Sequence, residues 1–329
     1  MNDRIQLGHG GGGSLMQQLI DAELRPLLPR PEAPLQHAAR LELPHGRLAF
    51  STDGYVVQPL EFPGGDIGRL AVVGTCNDLA MVGARPLSLV LGLILEEGLD
   101  RRVLRRILRS VAAAAAECGV QVVGGDTKVV ERGKGDGAFL TSSGIGLLEA
   151  ADPIGPQAIR RGDQSLLSGD PGRHGLAILA ARHGLALEPP LPSDCAPLWP
   201  SVERLLKVGV QPHALRDLTR GGLAAVLHEF AAASGLELRI EEERIPLDPA
   251  VARGAELLGL DPLELACEGR FLAVVAAGQR EAALAILRPG GGAWIGTVEA
   301  GPARVLLRTS LGSERLLIPP SGELLPRIC

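Results

Sequence analysis

The chain has 329 residues and a net charge of −5, enough for two ordinary domains with a sizeable core. Hydrophobic residues make up 46% and aromatics only 2%, so the core is Leu, Val, Ala and Ile. With no long basic block, nucleic acid and anionic membranes are excluded as partners.

The longest apolar run, Leu87 to Leu95, is roughly half of what crosses a bilayer, and no signal-peptide pattern opens the chain. Five scattered cysteines (Cys76, Cys118, Cys195, Cys267, Cys329) without a C-x-x-C form neither a disulfide framework nor a zinc site. These features predict a reduced, cytoplasmic protein.

In chain order, Gly8-His9-Gly10-Gly11-Gly12-Gly13 precedes a helical pattern, with Ser14 as its expected N-cap. Such a loop either closes over phosphates through its N–H groups or is a flexible leader. Leu48 to Gly54 reads as a strand running into a turn with Asp53 at its exposed end. Pro63 to Gly68 is a second turn, carrying Asp66. Val72 to Leu79 leads through a turn, with Asn77 and Asp78, towards a helix ending near Gly83. Leu87 to Leu95 is a buried strand. Asp100 caps a helix over 101–118, basic early and alanine-rich later.

Gln121-Val122-Val123 is a short strand expected to stop at Gly124-Gly125-Asp126-Thr127-Lys128, and 134–137 turn into a strand over 138–148. Two prolines near 151–156 mark a domain boundary. The second half alternates strands (165–168, 236–240, 271–276, 293–298, 304–307) with helices (to His183, 202–208, to Ala233, 249–258, 280–287). This alternation gives an α/β or α+β protein of two related-looking lobes. The expected division is a Gly-rich segment and helix over 1–36, lobes over 37–155 and 156–310, and a flexible tail over 311–329 ending in Cys329.

Five aspartates, Asp53, Asp66, Asp78, Asp126 and Asp217, stand among Gly, Thr or Asn at what read as strand-to-turn junctions. One Gly-Asp turn is usually only a turn, but five with the same grammar suit Mg²⁺, which takes oxygen ligands and shares them with substrate phosphates. No Walker A and no protein-kinase motif set is present, so a nucleotide would be held by metal-bridged phosphates and by glycine loops such as Gly221-Gly222 at a helix start.

Asp53-Gly54, Gly65-Asp66, Asn77-Asp78-Leu79-Ala80, Gly124-Gly125-Asp126-Thr127 and Asp217-Leu218-Thr219-Arg220-Gly221-Gly222-Leu223 resemble the ATP-site motifs of the aminoimidazole ribonucleotide synthetase (PurM-like) superfamily. With Gly8-His9-Gly10 and the terminal Pro326-Arg327-Ile328-Cys329, the chain is similar over nearly its whole length to the superfamily's HypE branch, the carbamoyl dehydratases of hydrogenase maturation. The resemblance implies a two-lobed fold whose first lobes pair in a homodimer, with Leu87 to Leu95 apolar on both faces.

It further implies ATP and Mg²⁺ held by Gly10, Asp53, Asp66, Asn77, Asp78, Gly124, Gly125, Asp126, Thr127, Asp217, Thr219, Arg220, Gly221 and Gly222, with Asp53, Asp78, Asp126 and Asp217 as the Mg²⁺ ligands. The implied reaction is ATP-dependent dehydration of a carbamoyl group on Cys329 to a thiocyanate. The carbamoyltransferase HypF would load the tail, and the cyano group would pass to the iron of a nickel–iron hydrogenase precursor on a HypC–HypD scaffold. Proton removal needs a base, for which Lys128 and Glu268 are the candidates, a structural ion pair being their alternative reading.

Rival readings are other ATP-using members of the superfamily, of selenophosphate synthetase or thiamine monophosphate kinase type, and a non-catalytic nucleotide-binding scaffold. The first wants a Cys or selenocysteine in the N-terminal glycine loop, where this chain has none. The small-molecule enzymes have no use for a terminal cysteine, and a scaffold could lose carboxylates that are all present.

Overall fold

A computed structural model describes residues 3–27, 38–309, 311–320 and 327–329. The first lobe runs α1 (Ser14–Leu19), β1 (Leu48–Tyr55), β2 (Glu61–Phe62), β3 (Gly65–Asp66), α2 (Ile67–Met81), β4 (Ala84–Glu96), α3 (Arg101–Cys118), β5 (Gln121–Val130) and β6 (Ala138–Leu148). Its main sheet has the order β1-β6-β4-β5. Only β4 and β5 pair in parallel, and α3 is the crossover that parallel strands need.

α3 starts where the Asp100 carboxylate accepts the Arg102 N–H at 2.8 Å, and stops at Gly119, whose φ of 69° no side chain easily adopts. Leu104, Ile107, Leu108, Val111, Ala114 and Ala115 form its buried stripe. One face of the sheet takes this stripe and α2. Along β4, Leu89, Leu91, Leu93 and Leu95 point into that core, while Val90 and Ile94 on the other face stay exposed. Leu48 and Phe50 of β1 are exposed too, Phe50 at 68%.

The second lobe runs β7 (Gln164–Leu167), α4 (Arg173–His183), α5 (Trp199–Lys207), β8 (Ala214–Asp217), α6 (Gly222–Ser234), β9 (Glu237–Glu241), α7 (Pro249–Leu258), β10 (Phe271–Val275), α8 (Arg280–Leu287), β11 (Ala293–Glu299), β12 (Arg304–Arg308) and β13 (Glu314–Leu316). The sheet order is β13-β12-β9-β11-β7-β10-β8. Leu272 and Val274 of β10 join the core under α6, and Phe271, Ala273 and Val275 the one under α5 and α8. A strand covered on both faces reads as the continuous apolar run seen here. α4 and α7 turn the other way: Leu176, Ile178, Val251 and Ala255 extend the first lobe's core, so the lobes share one apolar body.

Five local expectations are corrected. The stretch from Val72 to Leu79 is not a turn before a helix but the middle of α2, so Asn77 and Asp78 are helical. Gly124 to Lys128 do not end a strand but continue β5, held by pairing with β4. Asp53 likewise lies within β1, so of the five aspartates only Asp66 and Asp217 stand at element ends. The N-cap of α1 is Gly13, and Ser14 is already helical. Glu314–Leu316, expected in the tail, adds an edge strand to the sheet, and 321–326 lie outside the described residues. Among the described residues no helix is long and apolar enough to cross a membrane.

Candidate active site

The last three residues fold back into the cleft between the lobes. Arg327 takes φ 57°, rare for a residue with a side chain, and is held on every side. Its carbonyl accepts from Arg182 Nη2 at 2.6 Å and from the Gln58 N–H at 3.3 Å. Its guanidinium reaches Gln58 Oε1 at 2.7 Å and Asp136 at 2.9 Å. Ile328 is buried in the shared core, and its carbonyl meets His174 Nε2 at 2.8 Å. This anchoring sets the Cys329 thiol beside the Glu268 carboxyl and the Arg220 guanidinium, whose charges both act on it.

Glu268 follows Cys267 in the stretch leading to β10. Its N–H and that of Gly269 donate to the two oxygens of Asp194 at 3.2 Å each, and its carbonyl accepts from Asn77 Nδ2 at 3.1 Å. The side chain is 3% exposed, and Oε1 has no partner. Burial first, then the neighbouring Asp217 and Asp194, push its pKa well above the usual carboxylate range. The same burial, with Glu268 nearby, raises the Cys329 thiol.

Three of the predicted aspartates converge here. Asp53 of β1 lies 3.5 Å from Arg220, and Asp78 of α2 accepts the Ser51 hydroxyl at 2.7 Å. Asp217 closes β8, where burial and then Asp78 push its pKa up to about 7. Burial, opposed by Ser51 and aided by Asp53, raises Asp78 as well. Thr219 and Arg220 follow in the turn to α6. Gly221 and Gly222 sit there at φ 75° and 58°, and a Cβ on Gly222 would meet the Leu263 and Leu265 carbonyls at 2.6 Å. Only glycine fits that turn.

The other predicted residues lie elsewhere in the single chain. Asp126 pairs with Lys128 at 2.7 Å, both more than half exposed. Cross-strand register runs from Asp126 through Gly92 and Thr141 to Gly54, three strand spacings or roughly 14 Å. Asp126 and Lys128 also face the uncovered side of the sheet, opposite to Asp53. Gly124 and Gly125 lie beside them, Thr127 is buried on the inner side, and Gly10 packs against Val129 of the same strand. Asp66 caps α2, accepting the Arg69 N–H at 2.9 Å. The Asn77 amide is fully engaged: it donates to the Ala196 and Glu268 carbonyls and accepts the Leu198 N–H at 2.8 Å.

Among the described residues no three Asp, Glu, His or Cys side chains converge into a cage for a metal ion. Loosely spaced carboxylates in the cleft, two with raised pKa, fit instead a cation that arrives with phosphates and keeps water ligands. Of the remaining cysteines, Cys76, Cys195 and Cys267 are buried, and Cys267 Sγ accepts the Gly172 N–H at 3.0 Å. His174, Arg182, Gln58, Ser193 and Asp194, which hold the tail and the Glu268 loop, carry no sequence signal. They come from four separate points of two lobes and match no local spacing.

The model of the AIR synthase related protein, N-terminal domain, matches residues 36–148, and that of the C-terminal domain matches 160–307. The carbamoyl dehydratase HypE of Rhodobacter capsulatus is 46% identical over 337 residues, covering 100% of this chain and 99% of that protein. The crystal structure of a hydrogenase maturation protein HypE in complex with ATP superposes with a TM-score of 0.94 at 44% identity, over 98% of this chain and 99% of that one. The chain matched in a HypE–HypF complex superposes with a TM-score of 0.80 at 39% identity, over 94% of this chain and 100% of that one. Two PurM-like lobes, a cleft lined with acids and a cysteine-ended tail thus go with likeness along the whole length, and this chain belongs to the AIR synthase related family and, within it, to the HypE carbamoyl dehydratases of hydrogenase maturation.

Proposed function

We propose that this chain dehydrates a carbamoyl group carried on Cys329 to a thiocyanate, driven by conversion of ATP to ADP and phosphate. The product would supply the cyanide ligand of a nickel–iron hydrogenase. The observation that carries the reading is the docked thiol, set against a buried carboxyl with a free oxygen and an arginine. The loaded group, Cys329–S–C(=O)NH₂, is neutral and enters this cleft at lower desolvation cost than a thiolate would.

The carbamoyl oxygen takes the γ-phosphoryl group of ATP, which turns a poor leaving group into a good one. The C–O bond then breaks with phosphate as the leaving group, one N–H proton passes to a base, the other leaves with phosphate as hydrogen phosphate, and the carbon–nitrogen triple bond forms. Oxygen balances, because the oxygen removed from the carbamoyl group ends in phosphate. Glu268 would accept an N–H proton on its unpartnered Oε1, and its raised pKa strengthens it as a base once ionised. Arg220, beside the thiol, would hold the carbamoyl oxygen and the charge developing there.

Mg²⁺ bound with ATP would neutralise phosphoryl charge, and Asp53, Asp78 and Asp217 suit it as oxygen ligands. Asp126 and Lys128 would act from the uncovered face, at the seam with a second copy. HypF is the proposed carbamoyl donor and the HypC–HypD scaffold the proposed acceptor, in the cytoplasm. The decisive measurement is the mass of the C-terminal peptide after incubation with the carbamoyl donor system. The expected result is carbamoyl on Cys329, then loss of one water on adding Mg-ATP. Loss without ATP, or at Cys267, would refute the proposal.

A further inference from the structure

His174, the second residue of α4, is completely buried, edge-on to Phe62 with ring centroids 5.5 Å apart. Its Nε2 lies 2.8 Å from the Ile328 carbonyl oxygen, which can only accept, so Nε2 carries a proton. Burial lowers the ring's pKa to about 4 and keeps it neutral. Nδ1 is therefore an acceptor and takes the Ser193 hydroxyl at 2.7 Å. Ser193 Oγ in turn accepts the Cys195 N–H at 3.1 Å.

The next residue of the same turn, Asp194, holds the N–H groups of Glu268 and Gly269. One three-residue turn thus grips both reacting sides: the tail through Ser193 and His174, and the Glu268 loop through Asp194. The first lobe pins the turn in place. The Ser193 N–H donates to the Pro63 carbonyl at 2.7 Å, and Arg69 Nε donates to the Cys195 carbonyl at 3.0 Å. There is no slack, since a Cβ on Gly64 would come within 2.7 Å of Ser193 N, and one on Gly269 would collide with the Asp194 carbonyl.

We infer that His174 and Ser193 are positioning residues: through them the 193–195 turn locks the tail's main chain in register with Glu268, so that the sulfur of Cys329 meets the carboxyl. The lock reads the carbonyl of Ile328 while the Ile328 side chain fills the core. It recognises a docked chain end, not the thiol. Its place in the reaction rests on the dehydratase reading, but docking itself does not.

The test is iodoacetamide labelling of Cys329 in the full-length, unloaded protein without ATP, read from the mass of its peptide. Wild type should label slowly, since the docked thiol is buried. His174→Leu leaves the Ile328 carbonyl unpaired and the Ser193 hydroxyl proton without its acceptor, and labelling should quicken about tenfold. His174→Gln offers an amide N–H where Nε2–H stood and should restore protection. Ser193→Ala, a milder change, should quicken labelling by about threefold.

Cys267, deep in the core, should stay unlabelled throughout and reports the fold; if His174→Leu exposes it, Ser193→Ala decides instead. In the loaded protein, the Leu variant should lose kcat for dehydration without a change in the KM for ATP, and Gln should regain it. Labelling of His174→Leu or Ser193→Ala as slow as wild type overturns the lock. So does a Gln variant that labels like Leu. A protein that labels as expected but never loses water would keep the lock and refute the dehydratase reading, so the two failures are distinct.

Discussion

Asp217 is buried beside the half-buried Asp78, and their raised pKa values make the cleft a place where charge is stored uncomfortably until a cation comes. For Asp217 the consequence has a sign. Its native pKa of about 7 lies above the 3.8 of an aspartate in the unfolded chain, so between the two the native state keeps a proton that the unfolded chain releases. Stability is then full below about pH 4 and falls as pH rises to about 7. Each pH unit costs at most about 1.4 kcal/mol, on the order of 4 kcal/mol across the window. Asp217→Asn stays neutral and escapes this. Without nucleotide, the variant should therefore gain on wild type from pH 4 to 7 in urea unfolding, while losing ATP-dependent dehydration. Parallel stability curves for the two proteins would show that Asp217 is not a strained acid.

Elements differ in how much of themselves they announced. α3 was legible to the residue because its cap, its apolar stripe and its terminal glycine all agree. β4 is legible from an apolar run of strand length, and β6 from the turn at 134–137 that leads into it. α2 was not, since Gly68, Gly74, Thr75 and Asn77 are poor helix formers. Packing overrides propensity there: Gly74 lets Tyr55 lie against the helix, and Thr75 meets the Tyr55 hydroxyl at 3.2 Å. The sequence predicts β5 too short for a similar reason. Gly124-Gly125-Asp126 has turn chemistry, but Gly125 is what lets the strand press against the Leu91 carbonyl of β4. Of the site, the acids and the terminal cysteine were visible, and the tail's anchors were not. Because α2 is continuous, Asn77 becomes a buried clamp on the loop that carries Glu268. Asn77→Ala should lower stability by about 3 kcal/mol, as three partners lose their bonds. A variant of unchanged stability but weakened ATP affinity would make Asn77 a ligand instead.

At the scale of the whole molecule, the first lobe's sheet has one finished face and one unfinished face. Leu48, Phe50, Val90 and Ile94 lie on the unfinished side, and no described residue covers them. An apolar sheet face of this kind on a soluble domain marks an association surface. The same face carries Asp126 and Lys128, whose motif resembles part of an ATP site, although Asp53, Asp78 and Asp217 are behind the sheet. A homodimer that closes the apolar face would account for both facts, because it would bury Phe50 and bring Asp126 and Lys128 to a seam. Sedimentation at micromolar concentration should show a dimer, and Phe50→Glu, which places a charge in the middle of that face, should yield a monomer. The substitution points away from the lobe's core, so thermal stability of the subunit should change little. ATP turnover should fall sharply in the monomer, yet Cys329 should remain protected from alkylation, since His174 and Arg182, which hold the tail's main chain, belong to α4 of the second lobe. A wild-type monomer, or a Phe50→Glu monomer with full turnover, would place the nucleotide site within a single chain and leave Asp126 and Lys128 outside it.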